Sequence, residues 1–387
     1  MSTPVIPSPR VLAPPTPIAL DAVELRLVKL PLVHPFVTSF GRVDSRVIVL
    51  VRFEVAGEVG WGEIVAMEEP LFNYETVETA REVIRRHFAP ELLASPIASL
   101  DDIVQRLARF RGHPMARAGL ELAWLDLVGR LRGLPLTRLL GGTRDRVSVG
   151  VSLGIEPTLD SLLDRVERHV ALGYQRIKLK IKPGWDLDVV SEVRRRHPDI
   201  LLSVDANTAY TLADLPHLRQ LDAFTLLMIE QPLEHDDLID HAALQAQIQT
   251  PVCLDESITD EHKARQAMTI GACRMINIKV GRVGGYSQAL PIHDACLARD
   301  VPVWCGGMLE SGIGRAHNLA LASLPGFSLP GDISASSRYF SRDLVAPPVT
   351  VAADGTVAVP QGPGLGLDVD EDFLRSQTVQ VDRHTRA

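Results

Sequence analysis

The sequence predicts an α/β protein whose larger part is a parallel βα barrel, preceded by a smaller α+β unit. Two observations carry this. From about residue 147, short β-type runs alternate with longer polar or helical stretches, and charged residues end several of these runs at a spacing close to 25 residues. Before that point, residues 20–65 alternate apolar and polar, and residues 75–140 read as helices. A beat of that length suits one strand plus one helix, and is too long for a solenoid.

The elements follow in chain order. The opening MSTPVIPSPRVLAPPTPIAL is Pro-rich and lacks the continuous apolar segment of a signal peptide, so residues 1–19 read as a flexible leader. The run 46-RVIVLVRFEVAGEVGWGEI-64 reads as two strands about a short turn at Ala56 and Gly57. In 116-ARAGLELAWLDLVGRLRGLPLTRLLGG-142, Leu120, Ala123, Trp124, Leu127 and Leu131 form a helical stripe, and Gly133 with Pro135 ends or interrupts it. Seven β-type runs come next: VSVGVSL, RIKLKIK, ILLSVDA, LLMIEQP, TPVCLDES, MINIKVG and VPVWCGG. The stretch 326-GFSLPGDI-333 is placed to close the barrel, and residues 342–387 are expected to pack back on the first unit.

Bulk composition excludes some classes. With 46% hydrophobic and 23% charged residues the chain has an ordinary soluble composition. A dispersed net charge of −8, without any basic run interleaved with aromatics, argues against a nucleic-acid partner. No apolar run reaches membrane-spanning length. The four cysteines form no CxxC pair, which fits a reduced, cytoplasmic protein, and Cys253 and Cys305 read as core residues.

The strand ends carry the chemistry. In 176-RIKLKIKPG-184 a strand would put Lys178, Lys180 and Lys182 on one face, opposite Ile177, Leu179 and Ile181. Taken alone this is an exposed amphipathic strand. Downstream, however, 203-SVDAN-207, 228-MIEQP-232 and 253-CLDES-257 end in Asp205, Glu230 and Asp255, and 277-NIKVG-281 follows with Lys279. Strand C-termini form the functional face of a βα barrel. Three carboxylates in one low-dielectric mouth repel and require a cation. All-oxygen donors without His or Cys select a hard ion, Mg²⁺ or Mn²⁺ before Zn²⁺, with Asn207 standing behind them. A lysine on each flank, near the metal and partly desolvated, should have a lowered pKa and act as a base. Arg282 could push Lys279 the same way if it points inward. Such a site suits α-proton transfer on a small carboxylate substrate through an enediolate.

Other residues have plainer readings. Glu256 is left out of the metal set as a loop or cap acid, and His235 with His241 reads as a solvated face. Glu310 either shapes the substrate pocket or holds its loop. Phe36 and Phe40 either line a lid or pack the two units together.

The segments 176-RIKLKIKPGWD-186, 203-SVDANTAYTL-212, 229-IEQPL-233, 252-VCLDES-257, 276-INIKVGRVGG-285 and 303-VWCGGMLESGIGRAHN-318 resemble the muconate-lactonising subgroup of the enolase superfamily. Within it the chain is most similar to the N-succinylamino-acid racemase / o-succinylbenzoate synthase family, over about residues 20–370. The resemblance implies a (β/α)₇β modified TIM barrel over 142–341. It also implies a capping domain over 20–141, completed by 342–387, whose loop around His34–Gly41 closes over substrate. It implies Asp205, Glu230 and Asp255 as metal ligands, Lys180 and Lys279 as the acid/base pair, and Lys178 as an electrostatic helper. A homo-oligomer is expected.

The same resemblance frames the reaction. Sugar-acid dehydratases use a His base where this chain has Lys279. Dipeptide epimerases carry a DxD pair where it has Asp332-Ile333-Ser334. Muconate cycloisomerase has no distinctive support. N-succinylamino-acid racemisation and o-succinylbenzoate synthesis, a step towards menaquinone, share the residues that remain. Arg282 beside Lys279 favours the racemase, which needs two competent bases. A catalytically silent barrel is the non-enzymatic alternative.

Overall fold

The computed structural model describes Arg10 and residues 12–386. The cap begins with three antiparallel strands, β1 (Ala22–Val37), β2 (Arg42–Val55) and β3 (Glu58–Ile64). Their turn is the expected one: Ala56 and Gly57 both have positive φ, the geometry whose twist matches a two-residue hairpin. The loop expected around His34–Gly41 is instead the tip of the long β1–β2 hairpin, with Phe36 paired to Val43. Short helices Val77–Val83, Ala89–Leu93 and Leu100–Leu107 precede the helix Pro114–Arg132.

That long helix ends at Gly133, which adopts the left-handed conformation and donates to Arg130 O. Its expected stripe is only part of its buried surface. Met115, Ala116 and every residue from Ala118 to Gly129 are buried, because the helix lies between the cap sheet and the barrel. Leu131, assigned to the stripe, is left 38% exposed at the helix end. The close approach rests on glycines. A Cβ on Gly62 of β3 would stand 2.1 Å from Gly119 O, and one on Gly60 would stand 2.3 Å from Ala123 O. Gly62→Ala is therefore expected to force helix and sheet apart, at about 1–3 kcal/mol, read as a lower urea midpoint.

Glu121 of the same helix reaches the barrel. Its carboxylate accepts from Ser287 Oγ at 2.6 Å and from Ser287 N at 2.9 Å, at the start of the helix Tyr286–Leu297. Burial pushes this carboxyl up to about 7, against those hydrogen bonds. The native state then holds a proton that the unfolded chain loses near pH 4.5, so this group's stabilisation declines as pH rises from 4.5 towards 7. Glu121→Gln should remove about 3 kcal/mol of that pH-dependent change, measured by denaturant unfolding between pH 4 and pH 8.

The chain then makes β4 (Arg146–Ser148) and enters the barrel. The predicted VSVGVSL strand is thus split at Val149. Seven parallel strands follow: β5 (Gly150–Leu153), β6 (Arg176–Lys180), β7 (Leu201–Asp205), β8 (Ile229–Glu230), β9 (Val252–Leu254), β10 (Met275–Ile278) and β11 (Val303–Cys305), paired in chain order. Residues 327–332 close the ring. Phe327 bridges Val303, Gly331 bridges Val149, and Asp332 N donates to Cys305 O at 2.9 Å. Pro330 offers no N–H, and this segment forms bridges rather than a continuous strand. The barrel is the modified (β/α)₇β form expected.

The tail divides its packing. After β12 (Val345–Ala346), β13 (Thr356–Ala358) pairs with β4 of the barrel entrance, and β14 (Asp368–Val369) pairs with β12. β15 (Thr378–Thr385) joins the cap, where it lies antiparallel to β1 as the fourth strand of the sheet, and Leu365 N donates to Asp126 of the long cap helix at 2.7 Å.

Among the described residues the leader is docked rather than flexible. Pro14 and Ile18 are buried, Ile18 exchanges backbone hydrogen bonds with Ile97 at 2.9 and 2.7 Å, and Arg10 pairs with Asp294 at 2.7 Å. Apolar side chains and a guanidinium with partners in reach dock this segment. Residues 1–9 and Val11 lie outside the described residues. All four cysteines are buried and unbridged. Among the described residues, no helix is long and apolar enough to cross a membrane.

Candidate active site

Parallel strands all point one way, so their C-terminal ends collect at one rim. Lys178 and Lys180 come from β6, Asp205 ends β7 and Glu230 ends β8. Asp255 and Lys279 each lie one residue past β9 and β10. All six side chains are buried. Lys182, expected beside them, is exposed, because the strand stops at Lys180.

The charges interlock. Lys180 Nζ donates to Asp205 Oδ2 at 2.6 Å and to Asn207 Oδ1 at 2.5 Å. Lys178 Nζ stands between Glu230 Oε2 at 2.7 Å and Asp205 Oδ2 at 3.2 Å. Lys279 Nζ donates to Asp255 Oδ2 at 2.6 Å. Arg282 points inward, but onto Asp255 Oδ1, while its Nε and Nη2 bind the carbonyls of Ile258 and Asn277 at 2.9 and 2.7 Å. It braces the carboxylate that holds Lys279 rather than touching the amine.

Burial and charge compete at several of these groups. Burial alone would lower Lys178 and Lys279. The neighbouring carboxylates outweigh it, holding Lys178 well above its ordinary value and Lys279 above it too. With the acids facing these two amines directly, attraction dominates desolvation; the lowering expected from the sequence was for an amine beside a bound metal ion. Asp205 is pulled far down by Lys180 and Lys178 despite burial. Glu230 is pushed up to about 7 by burial and by Asp205. Glu256 is raised well above the ordinary carboxyl value by burial and by Asp255.

Cap and barrel enclose a cavity of about 50 Å³ over these groups, lined by Phe36, Phe40 and Phe72 from the cap and by Lys180, Asn207 and Lys279 from the barrel. Lys180 Nζ lies 5.9 Å from the Phe36 ring centroid, and Lys279 Nζ lies 4.6 Å from that of Phe72. Ser39 Oγ ties the hairpin tip to the rim by donating to the carbonyls of Ala206 and Asn207 at 3.0 and 3.1 Å. The rim is also strained. Asn207, Thr208, Gln231 and Leu309 all have positive φ, a cost that β-branched Thr208 in particular bears only in a tightly determined setting.

Other predicted residues fall differently. Glu310 does not line this cavity; its Oε1 accepts from Asn318 Nδ2 at 3.0 Å and its carbonyl from Arg315, so it holds the loop after β11. His241 is fully buried, not solvated: its Nε2 accepts from Leu233 N at 3.2 Å. Its i+8 spacing from that loop brings the ring back beneath it. His235 is exposed beside Glu234. Glu256 is no surface cap; it is buried and accepts from Asn207 Nδ2 at 2.9 Å.

Three residues of the site were missed by sequence reasoning. Asp332 Oδ2 pairs with Lys178 Nζ at 2.7 Å, and its other oxygen with Arg176. Trp304 lies beneath both cations, 4.3 Å from the Arg176 guanidinium and 4.7 Å from Lys178 Nζ. Asn277 Nδ2 donates to Glu230 Oε1 at 2.7 Å. Asn277 was the most findable, since it lies two residues before Lys279 in an apolar strand and so shares its face.

The donor set suits a hard divalent ion. Asp205, Glu230 and Asp255 offer oxygen only, and Glu256 Oε2 beside them is buried without a partner, an acceptor that a cation would satisfy. Among the described residues no three such side chains already enclose a common point, and each of the three carboxylates instead holds an amine.

Residues 22–141 match the N-terminal domain of the mandelate racemase / muconate lactonizing enzyme family, and residues 161–373 match the enolase C-terminal domain-like family. The chain is 50% identical over 370 residues to o-succinylbenzoate synthase of Geobacillus kaustophilus, covering 95% of this chain and 96% of that protein. It is also 50% identical over 360 residues to N-succinylamino acid racemase of an Amycolatopsis species, covering 93% and 97%. The crystal structure of an enolase-superfamily member from Enterococcus faecalis V583 superposes with a TM-score of 0.88 at 43% identity, covering 95% of this chain and 100% of that one. With both domains matched along nearly the whole chain, this protein belongs to the enolase superfamily of enzymes.

Proposed function

We propose that the enzyme racemises N-acylamino acids, with N-succinylamino acids as the substrate class, by α-proton transfer between two lysines. The observation that carries this reading is the placement of Lys180 and Lys279. They line one cavity from β6 and from the end of β10, with the three acid-bearing strands between them. A substrate α-carbon between them would have one amine on each face. One lysine takes the proton, and the other returns a proton to the opposite face of the enediolate.

Asp205, Glu230 and Asp255 would hold Mg²⁺ or Mn²⁺, which as a Lewis acid supplies stabilisation of the negative charge developing on the substrate carboxylate. Lys178, anchored by Glu230 and Asp332, adds fixed positive charge behind that carboxylate. Asn207 orients both Lys180 and Glu256. Phe36, Phe40 and Phe72 exclude water and offer an apolar wall to the acyl arm. Arg282 keeps Asp255 in position beside Lys279.

The second reading is o-succinylbenzoate synthesis, a dehydration in which one lysine suffices as base. The synthase name stands on relatives as similar as the racemases, up to 50% identical, and the two activities are compatible with one site. Deuterium exchange at the α-carbon of both enantiomers of an N-succinylamino acid tests the racemase reading. Loss of the α-proton from neither enantiomer would sink it and leave the synthase. A thermal melt with Mg²⁺ and with EDTA separates both from a silent barrel. Ion at roughly 100 times its Kd should add about 3 kcal/mol of stability, whereas a silent scaffold should melt identically in both.

A further inference from the structure

On the outer side of the catalytic wall lies a second and larger cavity, of about 380 Å³, between the helix Leu159–Ala171, the outer end of β1 and the segment 335–338. It is basic in a protein whose net charge is −8. Arg165, Arg168 and Arg338 all line it. Glu156 compensates Arg165, but among the described residues neither Arg168 nor Arg338 has a carboxylate partner. Arg338 is 8% exposed, donates through Nη2 to Ser152 O at 3.2 Å, and leaves its buried Nε without a partner. Burying a guanidinium with an unmet donor is costly, and a ligand oxyanion would meet it.

The remaining walls specify more than charge. Val33, Leu172 and Val351 give an apolar side. Tyr174 accepts from Ala335 N at 3.2 Å, which leaves its hydroxyl proton free to donate among the described residues. His169 bonds the Arg165 carbonyl through Nδ1 at 2.7 Å, so that nitrogen carries the proton and Nε2 is the free ring atom. His34 from β1 completes the rim.

We propose that this cavity is a second ligand site, taking a small organic anion with a carboxylate or phosphate head and a short apolar body. The head would sit against Arg168 and Arg338, whose fork geometry suits oxyanions, and the body against Val33 and Leu172. The site is separate from the catalytic cavity yet shares a wall with it, because Ser152 and Tyr339, next to Arg338, line the catalytic side.

Calorimetry on the full-length, Mg²⁺-loaded enzyme tests this, with phenyl phosphate and phenylacetate as the phosphate and carboxylate probes. At least one should bind saturably, and Arg168→Glu should weaken it by about tenfold or more. Arg168 is exposed, so this variant should keep its turnover and melting temperature. Leu172→Asp, also at an exposed position, should weaken the same probe, and Lys279→Met should not. The proposal is overturned if neither probe saturates below about 10 mM. It is equally overturned if Arg168→Glu binds like wild type, or if Lys279→Met abolishes binding, which would place the probe in the catalytic cavity.

Discussion

Replacing Lys279 by methionine should slow racemisation by about 10²–10⁴-fold, the usual contribution of a positioned acid or base, and Lys180→Met should do the same. The two variants should differ in exchange. On the two-base reading each lysine serves one face of the α-carbon, so each variant should still exchange the α-proton of one enantiomer for deuterium and leave the other enantiomer unexchanged. Neither change is expected to unfold the site. Asp255 keeps Arg282 when Lys279 is removed, and Asp205 keeps Lys178 when Lys180 is removed. Dehydration, which needs one base, should fail in only one variant for want of proton abstraction. If both variants continue to exchange both enantiomers, neither lysine moves the proton and the two-base reading falls.

The largest stability effect is expected at Asp332. Its carboxylate is the only acidic partner of Arg176 among the described residues and one of three for Lys178. Arg176 is fully buried, and its Nε and Nη1 already lack partners. Asp332→Leu would leave that guanidinium in the barrel interior with only the Trp304 face beneath it. Removing one member of such a pair costs about 3–5 kcal/mol. Adding Arg176→Met should restore much of the loss, since the uncompensated charge goes with it. Urea unfolding of wild type, single and double variants measures both effects. A single-variant cost below about 1 kcal/mol would mean the pair is solvated, contrary to its burial.

Much of this was legible because strand ends repeat. Asp205, Glu230 and Asp255 recur at equal spacing, and a parallel barrel turns equal spacing into adjacency. The KxK strand was legible through its period of two, which put Lys178 and Lys180 on one face. Asp332 was not. It lies in a segment broken by Pro330, with no strand pattern to give its side chain a direction. His241 was misread for a similar reason: a His between acids looks solvated until the chain folds Leu233 over it. Which carboxylate each lysine faces was not legible either, since it depends on distances that no spacing reports.

The sequence by itself determined the barrel, its cap, and which charged side chains crowd the rim, because alternation and repeat length are local properties of the chain. Only the tertiary structure decided which acid faces which amine, that the cap seals the rim with Phe36, Phe40 and Phe72, and that a basic cavity opens behind the same wall. Those outcomes depend on where elements far apart in sequence come to rest, and burial then sets how strongly their charges act on each other.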